Sequence, residues 1–172
     1  VAVQSLISAY RFLGSRRAVL DPLRRKELPK VPELEPAFYG LTEADMNVTF
    51  SAANTFFGSE KMTLREILDA LRQTYCGTVG YEFMYVSDPA IRQWWEERIE
   101  STRSTSNYQA LEKKKILEKL TAAEGLERYL HTKYVGQKRF SLEGGESFIV
   151  SMDAVVEQAA EYRSEEIVIG MA

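Results

Sequence analysis

Four of the five prolines fall between Ser15 and Gly40, at Pro22, Pro29, Pro32 and Pro36, and no other feature limits the fold so sharply. Each proline lacks a backbone N–H, fixes its own φ and biases the preceding residue away from helix. A long regular element is therefore excluded from this stretch. It is expected to be an extended connector, pinned by Leu20, Leu23, Leu34 and Phe38.

On its N-terminal side, Val3, Leu6, Ile7, Tyr10 and Leu13 follow the i, i+3, i+4, i+7 stripe of an amphipathic helix. Gly14 stands where a left-handed C-cap is expected. Beyond the connector, Thr42 with Asp45 predicts the start of a short helix, stapled by Leu41 and Met46. Thr63 with Glu66, flanked by Met62 and Ile67, is a clearer capping box. Leu64, Ile67, Leu68, Leu71 and Tyr75 give that helix an apolar face, and Gly77 its stop. The aromatic run Tyr81 to Val86 predicts a short strand. Asp88 and Pro89 form an N-cap and N1 pair. The helix they open is expected to bury Ile91, Trp94, Trp95 and Ile99, and to turn Arg92, Glu96, Glu97 and Glu100 outward.

Ser101 to Asn107 (STRSTSN) is the most linker-like stretch and sets the expected boundary, with a helical region at 1–105 and a second at 106–172. In the second, Tyr108 to Leu120 predicts a helix with Lys113, Lys114 and Lys115 on its wet side. Thr121 and Glu124 form a further capping box, so a new helix is expected there, with Leu126, Tyr129 and Leu130 facing its core. Lys138 to Leu142 reads as short and extended. Phe148, Ile149, Met152, Val155, Val156 and Ala159 predict an amphipathic helix, followed by a strand at Ile167 to Gly170. The fold class expected is predominantly α with a few short strands.

With 22 basic against 25 acidic residues and a net charge of −3, nothing electrostatic recommends nucleic acid as a partner. No apolar run approaches the roughly 20 residues that span a bilayer, so no membrane partner is expected. Cys76 is alone, which excludes an intrachain disulfide and suits a reducing compartment; as a small residue between Tyr75 and Gly77 it reads as packing rather than as a nucleophile. His131 is the only imidazole, which excludes a His-rich zinc site. Trp94 and Trp95 lie among acidic residues, which removes a base-stacking platform.

Arg139 is the candidate binding residue. Its guanidinium is charged at any working pH and offers a planar fork of donors matched to phosphate oxygens. It opens an extended run just ahead of Gly144, Gly145 and a helix N-terminus, where backbone N–H groups favour an anion. On residues alone, a ligand phosphate and an ordinary ion pair both remain open. Glu143 stands ready to orient Arg139 or to hold a neighbouring loop. Gly144 and Gly145 match neither the dinucleotide nor the Walker spacing and read as a tight turn. No catalytic residue and no metal ligand is assigned.

The stretch LTAAEGLERYLHTKYVGQKRFSLEGGES (Leu120 to Ser147), and KRFSLEGG within it, closely resembles the thiamine-diphosphate-dependent decarboxylating component of 2-oxoglutarate dehydrogenase. AYRFLGSRRAVLDPL, YGLTEADM, LREILDALRQTYCGTVGYEFM and the terminal EEIVIGMA resemble the same family, so the likeness covers the whole chain. It implies that Arg139 contacts thiamine diphosphate, with Lys138 adding diffuse positive charge, and that residues 106–172 open an α/β domain binding the diphosphate. It also implies Mg²⁺ whose ligands lie downstream of Ala172, along with the substrate histidines and the glutamate that activates the cofactor. The chain, starting at Val1, is accordingly expected to be an inactive internal piece of a larger enzyme. The implied parent is a homodimer that decarboxylates 2-oxoglutarate and succinylates the lipoyl group of a dihydrolipoyl succinyltransferase. It would be cytoplasmic in a bacterium, or in the mitochondrial matrix of a eukaryote. A component acting on 2-oxoadipate, and a noncatalytic helical assembly module, are the alternatives.

Overall fold

The computed structural model describes residues 1–170; Met171 and Ala172, the end of the expected terminal strand, lie outside the described residues. The chain divides into two compact units, Val1–Ser106 and Asn107–Ala172. It is predominantly helical, as the apolar periodicities predict.

The first unit opens with α1 (Ala2–Leu13), whose Val3, Leu6, Ile7 and Tyr10 are buried as the stripe requires. Gly14 does not form a left-handed cap. Its φ of −57° and ψ of −36° continue the helical turn into a 3-10 segment, Gly14–Arg17. Glycine is needed there for space: a Cβ at position 14 would stand 2.5 Å from the Cβ of Tyr75.

The connector is less extended than expected. Two 3-10 turns, Pro32–Leu34 and Pro36–Tyr39, each start on a proline, where the missing N–H is no loss. Of the four expected anchors only Leu34 is buried. Leu20, Leu23 and Phe38 are exposed, and Ala18, Val31 and Pro36 are buried instead. The two turns pack on α1, with Val31, Leu34 and Pro36 buried.

A small antiparallel hairpin follows, of β1 (Thr49–Ser51) and β2 (Lys61–Thr63), paired Thr49 to Thr63, Phe50 to Met62 and Ser51 to Lys61. β2 runs directly into α2 (Leu64–Tyr75). The junction is the expected capping box: the Thr63 N–H donates to Glu66 Oε2 at 2.8 Å, and the Glu66 N–H donates to Thr63 Oγ1 at 3.3 Å. Thr42 and Asp45 make a like arrangement on a single 3-10 turn, Glu43–Asp45. Tyr81 to Val86 is not a strand. With no neighbouring strand to take its backbone groups it remains irregular, anchored by buried Phe83 and by the Tyr81 hydroxyl, 2.7 Å from Ser104 Oγ.

Helix α3 (Pro89–Thr102) begins as expected, with Asp88 Oδ1 accepting from the Ala90 N–H at 2.8 Å. Of its expected inward face only Ile99 is buried. Trp94 and Trp95 are 51% and 38% exposed and Ile91 is exposed, while Glu100 is fully buried beside Ile99. Arg11 on α1 causes the reversal. It pairs with Glu100 at 2.8 Å and with Glu96 at 3.1 Å, which offsets the cost of drawing two carboxylates inward.

In the second unit, α4 (Ala110–Lys133) is one helix of 24 residues where two were expected. The Thr121–Glu124 pair does not cap anything. The Thr121 hydroxyl donates to the Leu117 carbonyl one turn back, and Glu124 pairs with Arg128 at 2.6 Å. Leu126 and Tyr129 are exposed and only Leu130 turns inward. The actual inward stripe is Ile116, Lys119, Leu120, Ala123, Glu127 and Leu130. α5 (Ser147–Glu161) lies against α4, tied by Lys119 Nζ to Asp153 Oδ1 at 2.6 Å. That hydrogen bond holds the Lys119 ammonium above its ordinary range. Ile149, Met152 and Ala159 are half-buried, but Phe148, Val155 and Val156 of the expected apolar face are exposed. Ile167 to Gly170 is not a strand, since no strand among the described residues lies beside it.

Candidate functional site

The second unit places Arg139 in the loop between α4 and α5. His131 and Lys133 occupy the last turn of α4, and Tyr134 closes it. The loop turns at Gly136, whose φ of +80° suits glycine, and the Gln137 N–H donates to the Tyr134 carbonyl at 3.2 Å. Leu130, Tyr134, Gln137, Lys138 and Arg139 then line a cavity of about 150 Å³. Among these residues are a guanidinium, an ammonium, an amide and a phenol, and no carboxylate. That donor set fits a small anion.

Arg139 is held from below by Glu127. Its Nη2 lies 3.2 Å from Glu127 Oε2, in a pairing of charge without an aligned hydrogen bond, and the two side chains are 30% and 25% exposed. The other carboxylate oxygen, Oε1, accepts from the Leu142 N–H at 3.1 Å. Glu143, expected to orient Arg139 or hold a loop, does neither. Its side chain is exposed and has no partner among the described residues. Glu127 takes both tasks because it stands on the inward stripe of α4, whereas Glu143 sits on the open turn. The clue legible in sequence was a carboxylate one turn ahead of Leu130 on an otherwise largely apolar face.

Gly144, at φ +85°, makes the tight turn expected of the glycine pair, and the Gly145 N–H donates to the Leu142 carbonyl at 2.6 Å. The helix N-terminus beyond it is not an open anion nest. Glu146 Oε1 accepts the Gly144 N–H at 3.1 Å, and the Phe148 and Ile149 N–H groups are turned onto the Gly145 and Glu146 carbonyls. The candidate anion site therefore rests on side chains, with Arg139 and Lys138 at its centre. The Lys138 ammonium also lies 6.0 Å from the Phe140 ring centroid, over an exposed ring.

Elsewhere the chemistry is structural. Cys76 is half-buried, and burial pushes its thiol above the ordinary range, the direction opposite to activation. In the first unit, larger cavities of about 710 and 410 Å³ are lined by the proline connector and by the Arg11–Glu96 pair. Arg11 there is already engaged by Glu100, Glu96 and the Asn54 carbonyl. Among the described residues no three His, Cys, Asp or Glu side chains gather as a metal cluster, and no helix is long and apolar enough to cross a membrane.

No family model matches the chain. Curated relatives match it throughout. It is 62% identical over all 172 residues to a 2-oxoglutarate dehydrogenase E1 component of Cupriavidus necator, and 45% identical over 172 residues to that of Azotobacter vinelandii. A Brucella anthropi protein of the same name is 45% identical over 168 residues, or 97% of the chain. The chain spans 18% of the length of the first two relatives and 17% of the third. Identity at this level over the whole chain places it in the family of 2-oxoglutarate dehydrogenase E1 components, of which it matches one segment.

Proposed function

We propose that the chain serves within an E1 component that decarboxylates 2-oxoglutarate on thiamine diphosphate and passes the succinyl group to a lipoyl arm. The observation carrying this reading is 62% identity over all 172 residues to a protein of that name. In this scheme residues 1–105 form a helical region and 106–172 open the domain that receives the diphosphate. The parent is a cytoplasmic homodimer that takes Mg²⁺ on residues outside this chain and works with a lipoyl-bearing dihydrolipoyl succinyltransferase.

Thiamine diphosphate supplies a nucleophilic carbon and an electron-accepting ring, the chemistry that loss of CO₂ from a 2-oxo acid needs. The part taken by this chain is binding. Arg139 would hold the diphosphate oxygens with the donors that Glu127 leaves free, which have no partner among the described residues. Lys138 on the same wall adds positive charge without a fixed geometry. Neither residue moves a proton.

The test is thiamine diphosphate affinity of the intact enzyme. Replacing Arg139 by Ala removes a charge-assisted phosphate contact and is expected to weaken binding roughly tenfold to a hundredfold. Arg139→Lys is expected to recover part of the loss, because the charge survives and the fork does not. Unchanged affinity in Arg139→Ala overturns the assigned role. Turnover of 2-oxoglutarate against 2-oxoadipate by the same enzyme checks the substrate.

A further inference from the structure

We propose that Glu127 is the positioning residue for Arg139, fixing where the guanidinium stands at the cavity and holding the loop that carries it. The inference rests on the reading of Arg139 as a diphosphate contact.

One carboxylate reaches both ends of the critical segment. Oε2 faces Arg139 Nη2 at 3.2 Å and Oε1 takes the Leu142 N–H at 3.1 Å. The helix supplies the rigidity. Glu127 lies one turn before Leu130, which itself lines the cavity, on the stripe that α4 turns inward. Oε2 is buried and has no hydrogen-bond partner, so the guanidinium is the compensation that the local structure offers for its desolvation.

A carboxylate next to an anion site must be reconciled with the anion. Glu127 meets a single terminal nitrogen of Arg139, and no hydrogen bond of Nη1 or Nε is present among the described residues. Nη1 and Nε are thus left for oxygens, which they meet as separate donors. Lys138 keeps the wall cationic after Glu127 has balanced Arg139. What Glu127 contributes is order: a long arginine fixed in advance loses less rotamer freedom on binding.

The decisive experiment is a double-mutant cycle in the intact enzyme, reading dissociation constants for thiamine diphosphate and, as a second probe, inorganic pyrophosphate. Glu127→Ala is expected to weaken both roughly three- to tenfold, less than Arg139→Ala does. Glu127→Gln keeps an acceptor for the Leu142 N–H and the melting temperature, yet still weakens binding; the charge-conserving Glu127→Asp recovers part of the loss. In the double variant, removing Glu127 costs nothing further once Arg139 is gone. Wild-type or tighter affinity in Glu127→Ala, or strictly additive losses in the double variant, overturns the positioning role and leaves Arg139 standing. Wild-type affinity in Arg139→Ala instead removes the underlying reading, and this inference with it.

Discussion

Arg11 lays its Nε and Nη2 on the two carboxylate oxygens of Glu100, at 2.8 and 3.1 Å, across 89 positions of sequence. Glu100 also accepts from the Tyr75 hydroxyl at 2.7 Å and from the Phe56 N–H at 3.0 Å, so one carboxylate joins α1, α2, α3 and the hairpin loop. Burial works against the charge on Arg11, but the Glu100 hydrogen bond and the nearby charges of Glu100 and Glu96 outweigh it and hold the guanidinium above its ordinary range. Removing Glu100 takes away the two-point contact on Arg11 and leaves the Tyr75 hydroxyl and the Phe56 N–H without their acceptor, with Glu96 and the Asn54 carbonyl as the remaining partners of Arg11. Glu100→Ala should therefore destabilise the first unit by about 3–5 kcal/mol, and Glu100→Gln by less, because shape and part of the bonding survive. Urea unfolding followed by circular dichroism measures both. A loss under about 1 kcal/mol for the alanine variant contradicts the buried pairing.

Gly14 and Tyr75 fix how closely α1 and α2 approach. An alanine at 14 suits the local backbone, so propensity alone predicts a small gain. Packing decides the other way, since the added Cβ would lie 2.5 Å from Tyr75 Cβ, a contact that a flexible side-chain end cannot relieve. Gly14→Ala should cost about 1–3 kcal/mol. A rise in melting temperature would show that the helices separate easily.

The inverted face of α3 gives a sharper contrast. Ile99 is buried and Trp94 is half-exposed, with its ring 5.0 Å from Trp95 and 5.5 Å from the Arg98 guanidinium. Ile99→Ala is expected to cost about 2–5 kcal/mol. Trp94→Ala, although it removes a far larger side chain, should cost under about 1 kcal/mol in this unit. Denaturation midpoints of the two variants check the order, and the reverse order would restore the tryptophan-inward register.

What was legible in the sequence was local. The Thr63–Glu66 box and the Asp88–Pro89 start depend on residues within one turn, so their spacing carries the whole signal. The same box pattern misleads at Thr121–Glu124, where the backbone stays helical and the threonine hydroxyl has a carbonyl to bond one turn back. Glu100 was hidden for a different reason. Whether a helix turns a carboxylate inward depends on a distant arginine, and nothing near Glu100 announces Arg11. Strands fared worst: Tyr81 to Val86 has the composition of a strand but no partner, while three-residue strands at 49–51 and 61–63 have a partner but little composition. Arg139 is a candidate in sequence through its guanidinium, its place ahead of the glycine pair and the family wording around it, whereas the Glu127 beside it carries no such mark.

Tyr75 sets an alkaline limit. Burial, then the Glu100 charge and the hydrogen bond to it, raise its phenol well above the ordinary 10.0. A group raised in the folded state contributes stability that is complete below the unfolded value and is lost as pH climbs from there toward the folded value. In the unfolded chain Tyr75 ionises near pH 10 while in the folded chain it stays neutral, so the unfolded state binds fewer protons and gains. Stability should fall by about 1.4 kcal/mol per pH unit from this residue once pH passes about 10. Tyr10, raised mainly by burial, adds to the slope in the same direction. Tyr75→Phe is expected to be less stable at neutral pH, having lost the 2.7 Å bond to Glu100, and yet to lose stability less steeply above pH 10. Urea midpoints of the two proteins at about pH 9, 10 and 11, roughly one unit either side of the unfolded value, read that difference. Parallel slopes would mean that the Tyr75 phenol ionises as freely in the folded chain as in the unfolded one.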